Sequence, residues 1–249
     1  MDLNSLLGPV LALGLILIGF GIDGGQLEQM LSLTSFLIVF GGSLGAMMVA
    51  YSIPDFLIAC RAVGDWLHLP SGEPKVLMND ILDLTQSARK NSLVAMEDQI
   101  SQIKYQPLRK AVQMAVDGQA LESIQKTLET EKRVINQESH VAVQFWDDFG
   151  SFSPTIGILG AVLGLIHAMT LLDQPQSMGS SIALAFTATL YGVGAANIIF
   201  IPISKKLKRK ADCEERAREM VIIGIEGIVN RTNPKVIEEK LSVYLERAA

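Results

Sequence analysis

In two long stretches without a single Lys or Arg, Thr187 and Thr189 offer hydroxyls and His167 offers an imidazole. At membrane depth such groups suit the transient holding of a small cation. A hydroxyl can accept a hydrogen bond from a protonated carboxyl or lend an oxygen to an ion. At about 100° per helical residue, Thr189 shares a face with a run of small residues, while Thr187, about 200° round the helix, points elsewhere. A membrane threonine ordinarily bonds back to its own helix; Thr189, on a small-residue face, has the alternative of serving an ion. His167 lies near the end of its stretch and reads as polar packing, with a proton relay as the alternative. No Asp or Glu lies inside the apolar runs; Asp23 and Asp173 stand at their ends. Ion pathways through membranes use an intramembrane ionisable residue, so a partner would have to supply the carboxylate.

Other chemistry finds no residues to carry it. The sequence has no Gly-rich phosphate loop, GxSxG, HExxH or Ser/His/Asp arrangement, and His68, His140 and His167 are too dispersed for a metal site. Cys60 and Cys213 form neither a CxxC motif nor a disulfide framework, and both adjoin cation-rich segments, as reduced cytoplasmic thiols would. The expectation is of no enzyme, no cofactor and no nucleic-acid partner.

The elements that must position these groups follow from the charge pattern. All 21 Lys and Arg fall within residues 61–133 and 205–247, although the net charge is only −5. The mean hydropathy is +0.33. Four apolar runs, 6–22, 35–51, 155–172 and 182–203, are each close to the roughly 20 residues a helix needs to cross hydrocarbon. The first lacks a basic leader and a convincing cleavage site before Asp23, and is expected to stay in the protein. The short connectors carry acids and no cations, which places them outside and the charged blocks inside. The fold expected is all-α: a polytopic membrane protein with four transmembrane helices in two hairpins, plus a helical cytoplasmic domain. The segments are 1–53 (first hairpin), 54–153 (cytoplasmic domain), 154–203 (second hairpin) and 204–249 (cytoplasmic tail). Ile124, Leu128 and Ile135 have helical spacing. Pro70, Pro74 and Pro107 punctuate the domain, and Lys205 to Lys210 would anchor the tail at an anionic leaflet.

The second hairpin is short of side-chain volume. Gly157, Gly160, Ala161, Gly164 and Ala168 form one helical stripe; Ala185, Ala188, Thr189, Gly192, Ala195 and Ala196 form another. Small residues let transmembrane backbones approach closely. The two helices could pack on each other within one chain, but two such long stripes exceed the need of one helix pair. The preferred expectation is a surface shared with other copies or with a different helix.

These residues resemble a known family. Pro154 to Ile166 (PTIGILGAVLGLI) is similar to the third span of the MotA/PomA flagellar stator family. Ala188-Thr189-Leu190-Tyr191-Gly192 with Ala196-Asn197 and Phe200-Ile201-Pro202 resembles its fourth. Arg89 and Glu97 match its charged cytoplasmic motif, and 226–237 with Leu241, Tyr244 and Leu245 resembles its tail. The likeness runs through nearly the whole chain in order.

The resemblance implies a homopentameric ring in the bacterial inner membrane, around two copies of a MotB/PomB-type partner. That partner is a single-span peptidoglycan-binding protein whose transmembrane Asp carries the ion. Ion flow turns the ring, and cytoplasmic charges push the rotor switch protein of the flagellar C-ring. Carried over by position, Thr189, Ala161 and Thr155 belong to the ion path and Pro154 and Pro202 to the coupling of flow to movement. Pro154 is also placed for a helix start and Pro202 for a helix end. Arg89 and Glu97 contact the rotor; eight residues apart, they would lie about 80° apart on one helix. Gly157, Gly160, Gly164, Ala188, Gly192 and Ala196 face the partner. Sodium-driven members have a Thr where this chain has Ala161, and a methyl group cannot coordinate sodium, so H+ is expected as the transported ion. The Leu190-Tyr191-Gly192 run and the compact length point the other way, to Na+. The alternatives are a TolQ/ExbB-like energiser of an outer-membrane process, a sodium-driven stator, a secondary transporter, which should carry a buried charge or a broken helix, and a passive scaffold.

Overall fold

A computed structural model describes residues 3–66, 72–90 and 93–246. Every regular element among them is helical. Helices α1 (Leu3–Ile22), α2 (Leu33–Ala50) and α3 (Ile53–Trp66) precede α4 (Pro74–Lys90). After a helical turn at Glu97–Ile100 come α5 (Gln106–Val116) and the 50-residue α6 (Leu121–Thr170). Helix α7 (Pro175–Ala195) passes through a π-helical turn, Ala196–Phe200, into α8 (Ile201–Val229). Helix α9 (Pro234–Glu246) follows.

Three helices, Leu33–Ala50, Leu121–Met169 and Gln176–Val229, are long and apolar enough to cross a membrane, and Leu7–Ile22 is a shorter apolar helix. The four spans expected from sequence therefore resolve into three full-length ones and a shorter segment. The chain divides into two compact units that cut across the sequence blocks. One comprises residues 1–69 and 139–208; the other comprises 70–138 and 209–249. Helix α3 and residues 139–153, read from sequence as part of the cytoplasmic domain, thus belong with the apolar helices. The reason is a shared aromatic core: Phe145 is 2% exposed, and Phe56, Trp146, Phe149 and Phe152 pack around it with Met47 and Ala59. The Trp146 indole donates to the Ala59 carbonyl (3.2 Å), Ser204 Oγ to the Val143 carbonyl (3.0 Å) and the Tyr51 hydroxyl to Asp148 (2.6 Å).

The other unit is a helical domain with its own core. Helix α4 buries Leu77, Ile81, Leu84, Thr85 and Ala88, the spacing of a single helix face. Arg89 and Lys90 close its last turn, where cations complement the helix dipole. Helix α5 carries Pro107 in its first turn, buries Leu108, Ala111, Val112 and Ala115, and is followed by Gly118 in the left-handed region (φ 77°). There the Gln119 N–H reaches the Met114 carbonyl at 3.1 Å, satisfying a terminal acceptor. Helix α8 ends the same way with Arg231 (φ 51°) at the left-handed position, and Thr232 N–H bonds the Gly227 carbonyl at 2.9 Å. Ile124 and Leu128 are buried as their spacing predicts, with Ile135 half-buried. Tyr105, in this core, donates to Glu214 at 2.9 Å; burial, with Glu214 beside it, pushes its phenol well above the ordinary range.

Candidate functional site

The small residues of the second hairpin meet one another. A methyl group added at Gly157 would lie 2.9 Å from the Ala188 carbonyl and 3.3 Å from Gly192 Cα. At Gly160 it would lie 2.8 Å from Ala188 Cβ, and at Gly164 it would lie 2.9 Å from the Ala185 nitrogen. Gly157, Gly160, Gly164, Ala188, Gly192 and Ala196 are all buried by the chain itself. Within the chain, Gly157, Gly160, Gly164, Ala188 and Gly192 lie in the contact between α6 and α7, with Ile38 of α2 also against Gly160. At these positions close backbone approach uses the small side chains of both helices.

The expected ion-path residues lie at the margin of this seam. Thr189 is half-buried and donates to the Ala185 carbonyl at 3.2 Å. Thr155 is exposed and donates to the Phe152 carbonyl at 2.7 Å, and Ala161 is half-buried. A hydroxyl that donates to its own helix keeps lone pairs for an incoming proton donor or ion. Beside them α6 and α7 expose a broad apolar surface that includes Ile158, Leu159, Val162, Phe186 and Val193.

Thr187, expected to point away idly, is tied to α2. Its hydroxyl lies 2.8 Å from Ser35 Oγ, and both side chains are buried. One turn on, the Tyr191 hydroxyl donates to the Met30 carbonyl (2.6 Å) and accepts from the Ser32 N–H (3.1 Å). Ser32 also caps α2, accepting from the Ser35 N–H at 3.2 Å. This polar seam was legible in one respect: Thr187 and Tyr191 are four apart, hence on one face of α7.

Both prolines sit differently from their expected places. Pro154 lies inside α6, with helix on both sides, and not at a helix start. Pro202 is exposed and is the second residue of α8, directly after the π-helical turn. Helix continues on both sides of it, from α7 through the π-helical turn into α8, where the sequence suggested an end. Arg89 and Glu97 are both exposed, but they do not share a helix. Helix α4 ends at Lys90 and Glu97 begins a separate turn, so the angle argued from one continuous helix does not apply. His167 and His140 are exposed, and His68 lies outside the described residues. Among the described residues no three His, Cys, Asp or Glu side chains cluster as metal ligands.

Comparison with known proteins gives this arrangement its family. The model of the MotA/TolQ/ExbB proton channel family matches residues 99–220. Motility protein A of Helicobacter pylori (strain ATCC 700392 / 26695) is 32% identical over 249 residues, covering 98% of this chain and 95% of its own. The chain belongs to the MotA/PomA family of flagellar stator subunits. Solved MotA/PomA-type structures agree in fold along its length. The structure of C. jejuni MotAB matches with a TM-score of 0.89 at 31% identity, over 98% of this chain and 96% of that one. The flagellar MotAB stator complex from Bacillus subtilis matches with a TM-score of 0.86 at 28% identity, over 97% and 95%. Members of the MotA/PomA family are stator and ion-channel components rather than enzymes, and this chain is a membrane protein of the stator.

Proposed function

We propose that this chain is the ring-forming subunit of an ion-driven flagellar stator in the bacterial inner membrane, converting ion flow into torque on the rotor. The observation that carries the reading is the absence of any Asp or Glu from the apolar parts of α2, α6 and α7. A chain of this family with no carboxylate of its own at depth needs one from another chain. A MotB/PomB-type single-span partner supplies it, and the MotAB composition of the similar structures supports that partner and an oligomeric assembly.

In this reading the exposed apolar surface of α6 and α7, and not the small-residue seam, meets neighbouring copies, the partner helix and lipid. Thr155, Ala161 and Thr189 border the ion's route. Leu7–Ile22 is the fourth span, the connectors lie outside, and the helical unit containing Arg89 and Glu97 faces the rotor switch protein from the cytoplasm. Five copies form the ring. The ion is H+, because Ala161 offers a methyl group where a sodium site needs an oxygen.

The test is motor speed in a stator-less motile host expressing this chain with its single-span partner, scanned across external sodium at fixed pH and membrane potential. Speed independent of sodium is expected. Speed rising with sodium overturns the proton assignment and keeps the stator. No rotation from an assembled pair overturns the stator reading in favour of a TolQ/ExbB-like energiser.

A further inference from the structure

Two exposed stripes run from the charged ends of the apolar helices into their apolar parts. On α6, Asp147, Ser151 and Thr155 recur every four residues and all three are exposed, so they climb one face of the helix. On α7 and α8, Asn197 and Lys205 are exposed eight residues apart. The π-helical turn Ala196–Phe200 between them takes up one residue. Eight steps therefore turn the chain about as far as seven α-helical ones, roughly 700°, and Asn197 and Lys205 fall on one face.

These groups are left open by the chain itself. Among the described residues, neither Asp147 nor Lys205 enters an ion pair. Asn197 donates from Nδ2 to the Val193 carbonyl at 2.9 Å, which leaves one amide N–H and the side-chain oxygen without partners. Thr155 gives its hydroxyl proton to the Phe152 carbonyl and keeps its lone pairs for a donor. Hydrocarbon offers nothing to an open amide, so Asn197 needs protein over it with a polar group at the same depth.

The two stripes complement each other. Asp147 to Thr155 is eight residues, as is Asn197 to Lys205. Set antiparallel, one register brings Thr155 to Asn197 and Asp147 to Lys205. The apolar parts beyond them then meet, Leu159 and Val162 against Leu190 and Val193, all exposed in the single chain. Depth agrees as well. A methyl group at Gly150 would lie 2.7 Å from Ile201, and these residues stand at the middle of the α6 and the α7–α8 stripes. The stripes are therefore level, and a rotation about the membrane normal keeps every residue at its depth. Within one chain α6 and α7 already face each other through their glycines, so the outer stripes must look to another copy.

We propose that the α6 stripe of one copy docks on the α7–α8 stripe of the next. Asp147 pairs with Lys205, and Asn197 donates to the Thr155 hydroxyl. Each copy offers one stripe and receives the other, a head-to-tail contact that generates a ring where the rotation closes. The interface presupposes the ring of the proposed function and names the surfaces that join its members. The exposed ion pair sets register more than strength.

The experiment uses the full-length chain co-expressed with its single-span partner, in membranes, with Cys60→Ser and Cys213→Ser. One tagged copy carries Asp147→Cys and a differently tagged copy carries Lys205→Cys, and a short bismaleimide spans the reach that a lysine side chain had covered. Both positions are exposed, so the variants keep the fold. A cross-linked dimer bearing both tags is expected, with no product from either variant alone. Both substitutions in one chain should give a ladder of cross-linked species. In a separate series, Asp147→Lys should shift the oligomer to smaller species on size exclusion, and adding Lys205→Asp should restore it. An oligomer that does not cross-link overturns the interface and leaves the ring reading standing. Failure of Lys205→Asp to restore assembly also overturns it and gives Lys205 to lipid headgroups. A monomer under the same conditions overturns the ring reading and the proposal with it.

Discussion

Replacing Gly192 with Ala tests whether the α6–α7 seam is set by backbone contact. A methyl group there would overlap the Ser153 carbonyl oxygen and stand 3.1 Å from Gly157 Cα and 3.2 Å from Pro154 Cα. All three obstacles are backbone, so no rotamer change relieves them and the helices must separate. Gly194, two residues on in the same helix, has nothing within 4 Å of its added methyl. Both substitutions gain the same helix propensity, about 1 kcal/mol, which therefore cancels between them. The difference is overpacking alone, about 1–3 kcal/mol, and rigid backbone obstacles place it toward the upper figure. In a chain of this length 1 kcal/mol moves a melting temperature by roughly 2–4 °C. Gly192→Ala should therefore melt about 2–12 °C below Gly194→Ala in detergent-solubilised protein. The readout is a thermal scan followed by near-ultraviolet circular dichroism. Gly192→Ala melting at or above Gly194→Ala would refute the reasoning and return the small stripe to an outside partner.

The remaining predictions concern other parts of the molecule. Ser35→Ala and Thr187→Ala should couple by about 0.6 kcal/mol in a double-mutant cycle on the same thermal readout; additive effects would mean the 2.8 Å pair contributes no mutual energy. Burial raises the Asp80 carboxyl above its ordinary range, with Asp83 adding to the effect and Lys104 opposing it. A raised carboxyl favours the protonated native state, so the charged form costs stability that is absent below the ordinary carboxylate range and grows as pH rises through the raised value. Asp80→Asn should accordingly raise the melting temperature at pH 7 and leave it unchanged near pH 3; equal gains at both would refute this. Arg231→Gly should stabilise by about 0.5–1 kcal/mol, since glycine removes the left-handed penalty and gives back part of it as chain entropy; a lower denaturation midpoint would count against it. Arg89→Glu or Glu97→Lys should lower motor torque severalfold while ring assembly, followed by size-exclusion chromatography, stays intact. Normal swimming in both variants would exclude a rotor contact at these positions.

The sequence by itself determined the class of the protein, because a bilayer forbids unpaired charge and unsatisfied backbone. Those constraints wrote apolar, cation-free helices and segregated charged blocks directly into residue order. It also determined the lack of an intramembrane carboxylate, which needs no fold to be read. Which neighbour each stripe meets was not legible. Periodicity shows that Gly157, Gly164, Ala188 and Gly192 share faces, but a small-residue face serves a partner and a sister helix equally well; only the docking of α7 on α6 turned them inward. Likewise the Ser35–Thr187 and Ser32–Tyr191 contacts join residues more than 150 apart in the chain, beyond any local pattern. Arg89 and Glu97 show the converse: spacing suggested one helix, and the two residues stand in separate elements. Local physics fixes what a segment can be, whereas the choice among equally apolar faces is made by close packing, which exists only once the helices have met.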